Sequence, residues 1–189
     1  TEVQPVAIVN AAAFTAVDDA ENEPALAAAT NAVAPGVLAT VAAECGACFV
    51  HYSTDYVFDG HSRRPYRESD PVAPTNVYGH TKLAGERAVM KTDSASIILR
   101  TSWVYSNRRN NFLLKLQRLA RTRTALKIVN DQFGCPTPAR FIATTTAAIL
   151  RGCSLSAKRL HEARGIYHLA TSGETSWYEF ARAIVELTP

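Results

Sequence analysis

The sequence predicts an α/β fold of the Rossmann-like, doubly wound kind, a parallel sheet covered by helices on both faces. Three observations carry this reading. Short β-branched runs alternate with longer alanine-rich helical stretches; the strand runs are almost continuously apolar, as strands covered on both faces must be; and polar, hydroxyl-bearing residues collect just after the strands end. A chain of 189 residues with 47% hydrophobic content can bury one good core, or one domain and part of another.

The elements follow in order. Val6-Ala-Ile-Val-Asn10 reads as a buried strand. Pro24 to about Glu44 reads as a helix, with Pro24 in its first turn and Gly46 past its end. Cys48 to Ser53 is the second strand, and Asp59-Gly60 opens a proline-rich loop running to Pro74. A helix runs from Asn76 to about Lys91, with Thr75 or Asn76 placed to cap it. Ser96 to Thr101 is a third strand and Asn110 to Thr122 a third helix. Shorter elements are a strand at 127–129, a helix at 139–150, a strand at 165–170 and a helix at 176–187. Residues 1–130 are expected to form part of a dinucleotide-binding domain. Residues 131–189 are expected to supply part of a smaller substrate-binding region, the chain crossing back to the sheet.

Composition narrows the function classes. The net charge of +3 is mild, and the arginines are scattered with no aromatic-interleaved basic stripe, so nucleic acid is not an expected partner. No apolar run is read as long enough to span a membrane, and the N-terminus lacks a charged-then-apolar leader pattern, so no membrane partner is expected. Cys45-Gly-Ala-Cys48 straddles a helix end and a strand start, and Cys135 and Cys153 supply no second close pair. Structural thiols in a reducing cytoplasm are the expectation. His51, His80, His161 and His168 have no metal-ligand spacing, so no metal is expected.

The chemistry concentrates in two stretches. His51-Tyr-Ser-Thr-Asp-Tyr-Val-Phe-Asp-Gly60 places hydroxyls at the end of an apolar strand, and Asn76-Val-Tyr-Gly-His-Thr-Lys82 places Tyr78 and Lys82 four apart on one helix face. A phenol beside an ammonium that favours its ionised form, with Thr54 in reach, can donate a proton to a carbonyl oxygen receiving hydride. A lysine at that spacing can also bond the ribose of a nicotinamide cofactor. Asn10-Ala-Ala-Ala-Phe-Thr15 occupies the equivalent end of the preceding strand. Small residues such as Ala12 and Ala13 there let a cofactor lie close to the backbone. None of the nine glycines makes the glycine-rich turn that holds a pyrophosphate, so the chain reads as an internal piece of a longer enzyme, its first sheet strands absent.

Taken together these motifs resemble the dTDP-4-dehydrorhamnose reductase family, extended short-chain dehydrogenases/reductases of deoxysugar synthesis. The resemblance covers essentially the whole chain. Besides the stretches already quoted it is carried by Lys82-Leu-Ala-Gly-Glu86, Arg100-Thr-Ser-Trp-Val-Tyr105, Asn111-Phe112, Asp131-Gln-Phe-Gly134 with Pro136-Thr137, and Gly165-Ile-Tyr-His-Leu169. It implies reduction of the C4 keto group of dTDP-4-dehydro-L-rhamnose by NADPH or NADH. Tyr78 would be proton donor to the C4 oxygen, Lys82 would hold the nicotinamide ribose and tune Tyr78, and Thr54 would bond the carbonyl. The implied cofactor set is Ala12, Ala13, Phe14, Thr15, Ser53, Tyr78 and Lys82. The implied substrate set is Thr54, Asp55, Trp103 against the deoxysugar and Asn111 near the nucleotide diphosphate. Phe14 stands where tyrosine or histidine is common, and Asn107-Arg-Arg-Asn110 replaces a glycine-containing loop.

Alternatives stay open at this point. A related dehydratase needs a glutamate after Thr54-Asp55, where this chain has Tyr56, which disfavours it. An epimerase uses the same hydroxyl, tyrosine and lysine. A non-catalytic regulatory subunit of the same fold, like the β subunit of methionine adenosyltransferase, is the non-enzyme reading. A homodimer is compatible with all of them.

Overall fold

The computed structural model describes residues 3–188, and the chain divides into two compact units. The first comprises Thr1–Arg100 with Thr146–His168, the second Thr101–Thr145 with Leu169–Pro189. Three crossings thus separate the units, where the sequence suggested one boundary at residue 130.

The first unit is built on a four-stranded sheet in the order β1-β2-β3-β7: β1 (Ala7–Asn10), β2 (Cys48–Thr54), β3 (Ala95–Thr101) and β7 (Gly165–His168). β1 pairs parallel with β2, and β3 parallel with β7. β2 and β3 are buried almost throughout, which is why their sequences lack polar alternation. A short α1 (Val17–Asn22), absent from the sequence reading, precedes a long helical stretch made of α2 (Pro24–Ala28), a π-helical turn (Ala29–Val33) and α3 (Ala34–Glu44). Gly46, at φ +65°, turns the chain out of that stretch and into β2. α4 (Val77–Lys91) is capped by Asn76, whose Oδ1 accepts from the Gly79 N–H at 2.8 Å. The core between these helices and the sheet joins Ala39, Ala42, Ala47, Phe49, Val89 and Ile98.

Pro24–Glu44 corrects one expectation. At 21 residues and mean hydropathy 1.5 it is long and apolar enough to cross a membrane by length and composition. In the fold Ala27, Asn31, Pro35, Ala39 and Ala42 form its buried stripe, the stripe of a helix lying on a core. The alanines that raise its hydropathy are there for close packing.

The second unit holds β4 (Val104–Tyr105) paired parallel with β6 (Thr137–Pro138), and β5 (Phe133–Gly134) paired antiparallel with β8 (Thr175–Ser176). α5 (Phe112–Ala120) and α8 (Trp177–Glu186) pack through Leu116, Ala181 and Ile184. α6 (Ala139–Gly152) begins in this unit and ends in the first, where α7 (Ala157–Glu162) follows. The strand expected at 127–129 is not formed. Leu126 and Ile128 instead press on the α5–α8 core, so their apolar alternation serves packing without a ladder partner.

Candidate active site

The candidate site lies at the C-terminal end of β2, where the chain turns from Thr54 into a 3-10 turn (Asp55–Val57). Thr54 caps that turn by accepting from the Tyr56 N–H at 3.2 Å, and its hydroxyl donates to Asp55 Oδ1 at 3.0 Å. α4 runs alongside. A Cβ on Gly79 would stand 2.3 Å from the Tyr56 carbonyl oxygen and 2.9 Å from Pro74, so only glycine lets the helix approach the turn this closely. That approach brings the Tyr78 phenol beside the Thr54 hydroxyl and puts the Tyr56 ring edge-on to it at 5.5 Å.

Electrostatics here differ from the sequence expectation. Burial pushes the Tyr78 phenol up to about 12, against a smaller downward pull from the Thr54 hydrogen bond, with Asp55 and Tyr56 adding to the rise. The Lys82 ammonium, expected to favour a phenolate, donates to the Tyr52 carbonyl at 2.6 Å. Burial lowers Lys82 to about 8, opposed by the nearby Glu86 carboxylate. Tyr78 therefore holds its proton at neutral pH, the state a donor needs. Burial also raises the Asp55 carboxyl to about 6, despite hydrogen bonds from Thr54 and the turn backbone.

The segment 11–15 lies beyond β1. Asn10, at the strand end, accepts from the Ala12 N–H at 3.2 Å and contacts His51 Nδ1 at 3.1 Å. Burial and the Lys82 charge hold His51 at about 3, so it is neutral. Phe14 is pinned by Asn31 of the π-helical turn. The amide of Asn31 accepts from the Phe14 N–H at 2.9 Å, donates to its carbonyl at 3.0 Å and reaches Thr81 at 3.2 Å. The sequence reading missed Asn31; its signal is a lone polar residue on the buried stripe of an alanine-rich helix. Gly85 of α4 makes room for the turn, since a Cβ there would stand 2.1 Å from the Asn31 carbonyl oxygen.

The first unit thus holds Tyr78, Lys82, Thr54 and Asp55, with Phe14, in the segment that also carries Ala12, Ala13 and Thr15, tied to Thr81 of α4 through Asn31. Ser53 is placed differently. It is buried, and its hydroxyl donates to Glu86 Oε1 at 2.5 Å, into an ion pair that Glu86 forms with Arg100. A nicotinamide cofactor fits the donor set: Lys82, only 2% exposed, uses one of its three N–H bonds on Tyr52, and Ala11 and Ala12 leave the backbone open to approach.

Trp103 and Asn111 belong to the second unit. Trp103 adopts φ +45°, a left-handed conformation costly for a non-glycine residue. Its indole stacks on Trp177 at 3.6 Å and lies over Gly134, where a Cβ would come within 2.5 Å of the ring. Asn111 spends its amide on local structure. It caps α5 through the Leu114 N–H at 3.3 Å and donates to the Ser106, Arg108 and Arg109 carbonyls. Among the described residues no three His, Cys, Asp or Glu side chains gather as a metal site.

Comparison with known proteins gives a consistent answer. A model of the RmlD substrate binding domain family matches residues 1–189. The dTDP-4-dehydrorhamnose reductase of Escherichia coli K12 is 47% identical over 184 residues, which are 97% of this chain and 60% of that protein. That of Burkholderia thailandensis is 48% identical, over 97% of this chain and 62% of its own length. The chain therefore spans about 60% of the length of these curated relatives. Among solved structures, a dTDP-4-dehydrorhamnose reductase from Clostridium acetobutylicum superposes with TM-score 0.90 at 38% identity, covering 98% of this chain and 62% of that one. The Bacillus anthracis reductase in complex with NADP gives 0.89 at 35% identity, with 97% and 62% covered. With its Rossmann-like sheet and a family match over its whole length, the chain belongs to the RmlD substrate binding domain family.

Proposed function

We propose that the protein of which this chain forms a part reduces the C4 carbonyl of dTDP-4-dehydro-L-rhamnose to the alcohol of dTDP-L-rhamnose, in the cytoplasm. The observation that carries the reading is a buried Tyr78 phenol, held protonated, facing the Thr54 hydroxyl and sharing a helix face with Lys82. NAD(P)H supplies the hydride to C4, and the NADP in the Bacillus relative favours the phosphorylated cofactor. Thr54, whose one hydroxyl proton lies on Asp55 in this structure, would turn that proton to the C4 oxygen when substrate binds, and Tyr78 donates its proton as charge develops there. Lys82 offers its two remaining N–H bonds to the ribose and stabilises the phenolate that Tyr78 becomes. Asp55 is the acceptor that Thr54 leaves in doing so, and Asn111 takes no part in this reading, its amide being held at the start of α5.

An epimerase would use the same three groups, and a binding subunit would use none for turnover. Tyr56, standing beside Tyr78, leaves no second carboxylate for a dehydratase. NADPH oxidation by the full-length protein in the presence of dTDP-4-dehydrorhamnose separates the readings. Tyr78→Phe should lower kcat by about 10²–10⁴-fold with nucleotide-sugar binding kept. Unchanged turnover in that variant removes Tyr78 from the chemistry; sugar binding without NADPH consumption by the wild type supports the binding subunit.

A further inference from the structure

Glu86 continues the face that carries Tyr78 and Lys82, at successive steps of four residues along α4. It is only 1% exposed, yet it reaches both neighbouring strands. Its Oε1 accepts from the Ser53 hydroxyl of β2 at 2.5 Å and from Arg100 Nε of β3 at 2.9 Å, while Oε2 accepts from Arg100 Nη2 at 2.7 Å. Arg100 also lies over the Phe58 ring at 5.1 Å and bonds the Glu68 carbonyl, so both arms of the guanidinium fork are held. A buried carboxylate whose oxygens are all engaged cannot move without dragging β2, and Ser53 precedes Thr54 directly. Its charge lies one helical turn from Lys82.

We propose that Glu86, held by Arg100, is a positioning residue for carbonyl reduction: it clamps the Ser53–Thr54 strand end beside Tyr78 and sets a carboxylate one helical turn from Lys82. This rests on the reading of the site given above.

The charged and titratable groups on elements packed against α4 are Cys48, His51 and Tyr52 of β2, Asp55 and Tyr56 of the 3-10 turn, Asp18, Asp19 and Glu21 of α1, and Glu44 at the end of α3. Arg100 of β3 reaches α4 through its bond to Glu86. Of these His51 and Glu86 act on Lys82 directly, and His51 is neutral, so Glu86 is the group that opposes loss of the lysine proton. Removing its charge favours the neutral amine.

The test uses the full-length protein and the pH profile of kcat. The wild type should lose activity on the alkaline side as Lys82 deprotonates. Glu86→Gln should lower kcat at pH 7.5 by about tenfold and move that limb to lower pH, with KM for the sugar within about twofold. Because the new amide nitrogen meets the Arg100 guanidinium, Glu86→Gln can fail to fold; the double variant Glu86→Leu/Arg100→Met removes both charges and should fold but show the same displaced limb. A folded Glu86→Gln or double variant with the wild-type limb and kcat would show that the pair is structural only. A wild-type profile flat to pH 10 overturns the proposal whatever the variants do. Absence of reductase activity in the wild type would instead strike at the reading of the site itself.

Discussion

Asp55 illustrates how single residues were legible and where they were not. Its place after Thr54 was readable, but its charge state depends on burial that only the fold creates. The folded carboxyl sits at about 6 against an ordinary 3.8, so protonation is favoured in the folded state. Stability from this group is complete below the ordinary value and is lost as pH rises through about 6. Asp55→Asn should therefore gain on the wild type across that window, by at most about 3 kcal/mol, read from urea midpoints at several pH values. Parallel curves for the two proteins would refute the burial argument. Tyr78 and Lys82 were legible together because their relation is one helix step, and Thr54 because it ends a strand; that it stands beside Tyr78 was implied by the family resemblance and not by spacing. Asn31, Tyr56 and Glu86 were not, since their partners lie 17 to 50 residues away, at a ring edge across α4, or on two strands at once.

At the scale of elements, two glycines on α4 decide how closely this helix can lie against its neighbours. Gly79 admits the Tyr56 carbonyl and Gly85 admits the Asn31 carbonyl, each where a methyl group would collide with backbone. The π-helical turn at Ala29–Val33 is the counterpart of Gly85, pushing Asn31 toward α4 and toward the Phe14 loop. Gly79→Ala should displace Tyr78 from Thr54 and cost about 10²-fold in kcat, since a shift near 1 Å at reacting groups has that effect. A thermal melt alongside the turnover assay separates misplacement from unfolding, and wild-type turnover in the variant would mean that the close approach is not needed. The cap at Asn76 was legible because its side chain bonds its own helix start, whereas Asn111, read as a ligand contact, and Ser176, read only as a helix start, turn out to be caps as well. The 127–129 strand failed because apolar alternation reports a buried face and not the partner strand. The two-residue strands of the second unit were too short for periodicity to register.

At the scale of the molecule, the parallel class was implied by the alternation of strands and helices, whereas the strand order and the division into two units were not. The chain leaves the first unit after Arg100, returns at Thr146 and leaves again after His168, and no change of composition marks those points. Each unit carries its own hydrophobic cluster, so truncating either would strip a core and not a surface. The central claim is that this fold sets a protonated phenol beside a carbonyl that receives hydride. The most direct measurement is a single turnover of the full-length protein with NADPH carrying deuterium at the transferable position, the sugar product then examined by mass and NMR. The account predicts one deuterium, placed at C4 of dTDP-rhamnose. Product without the label, or label at another carbon, would contradict it.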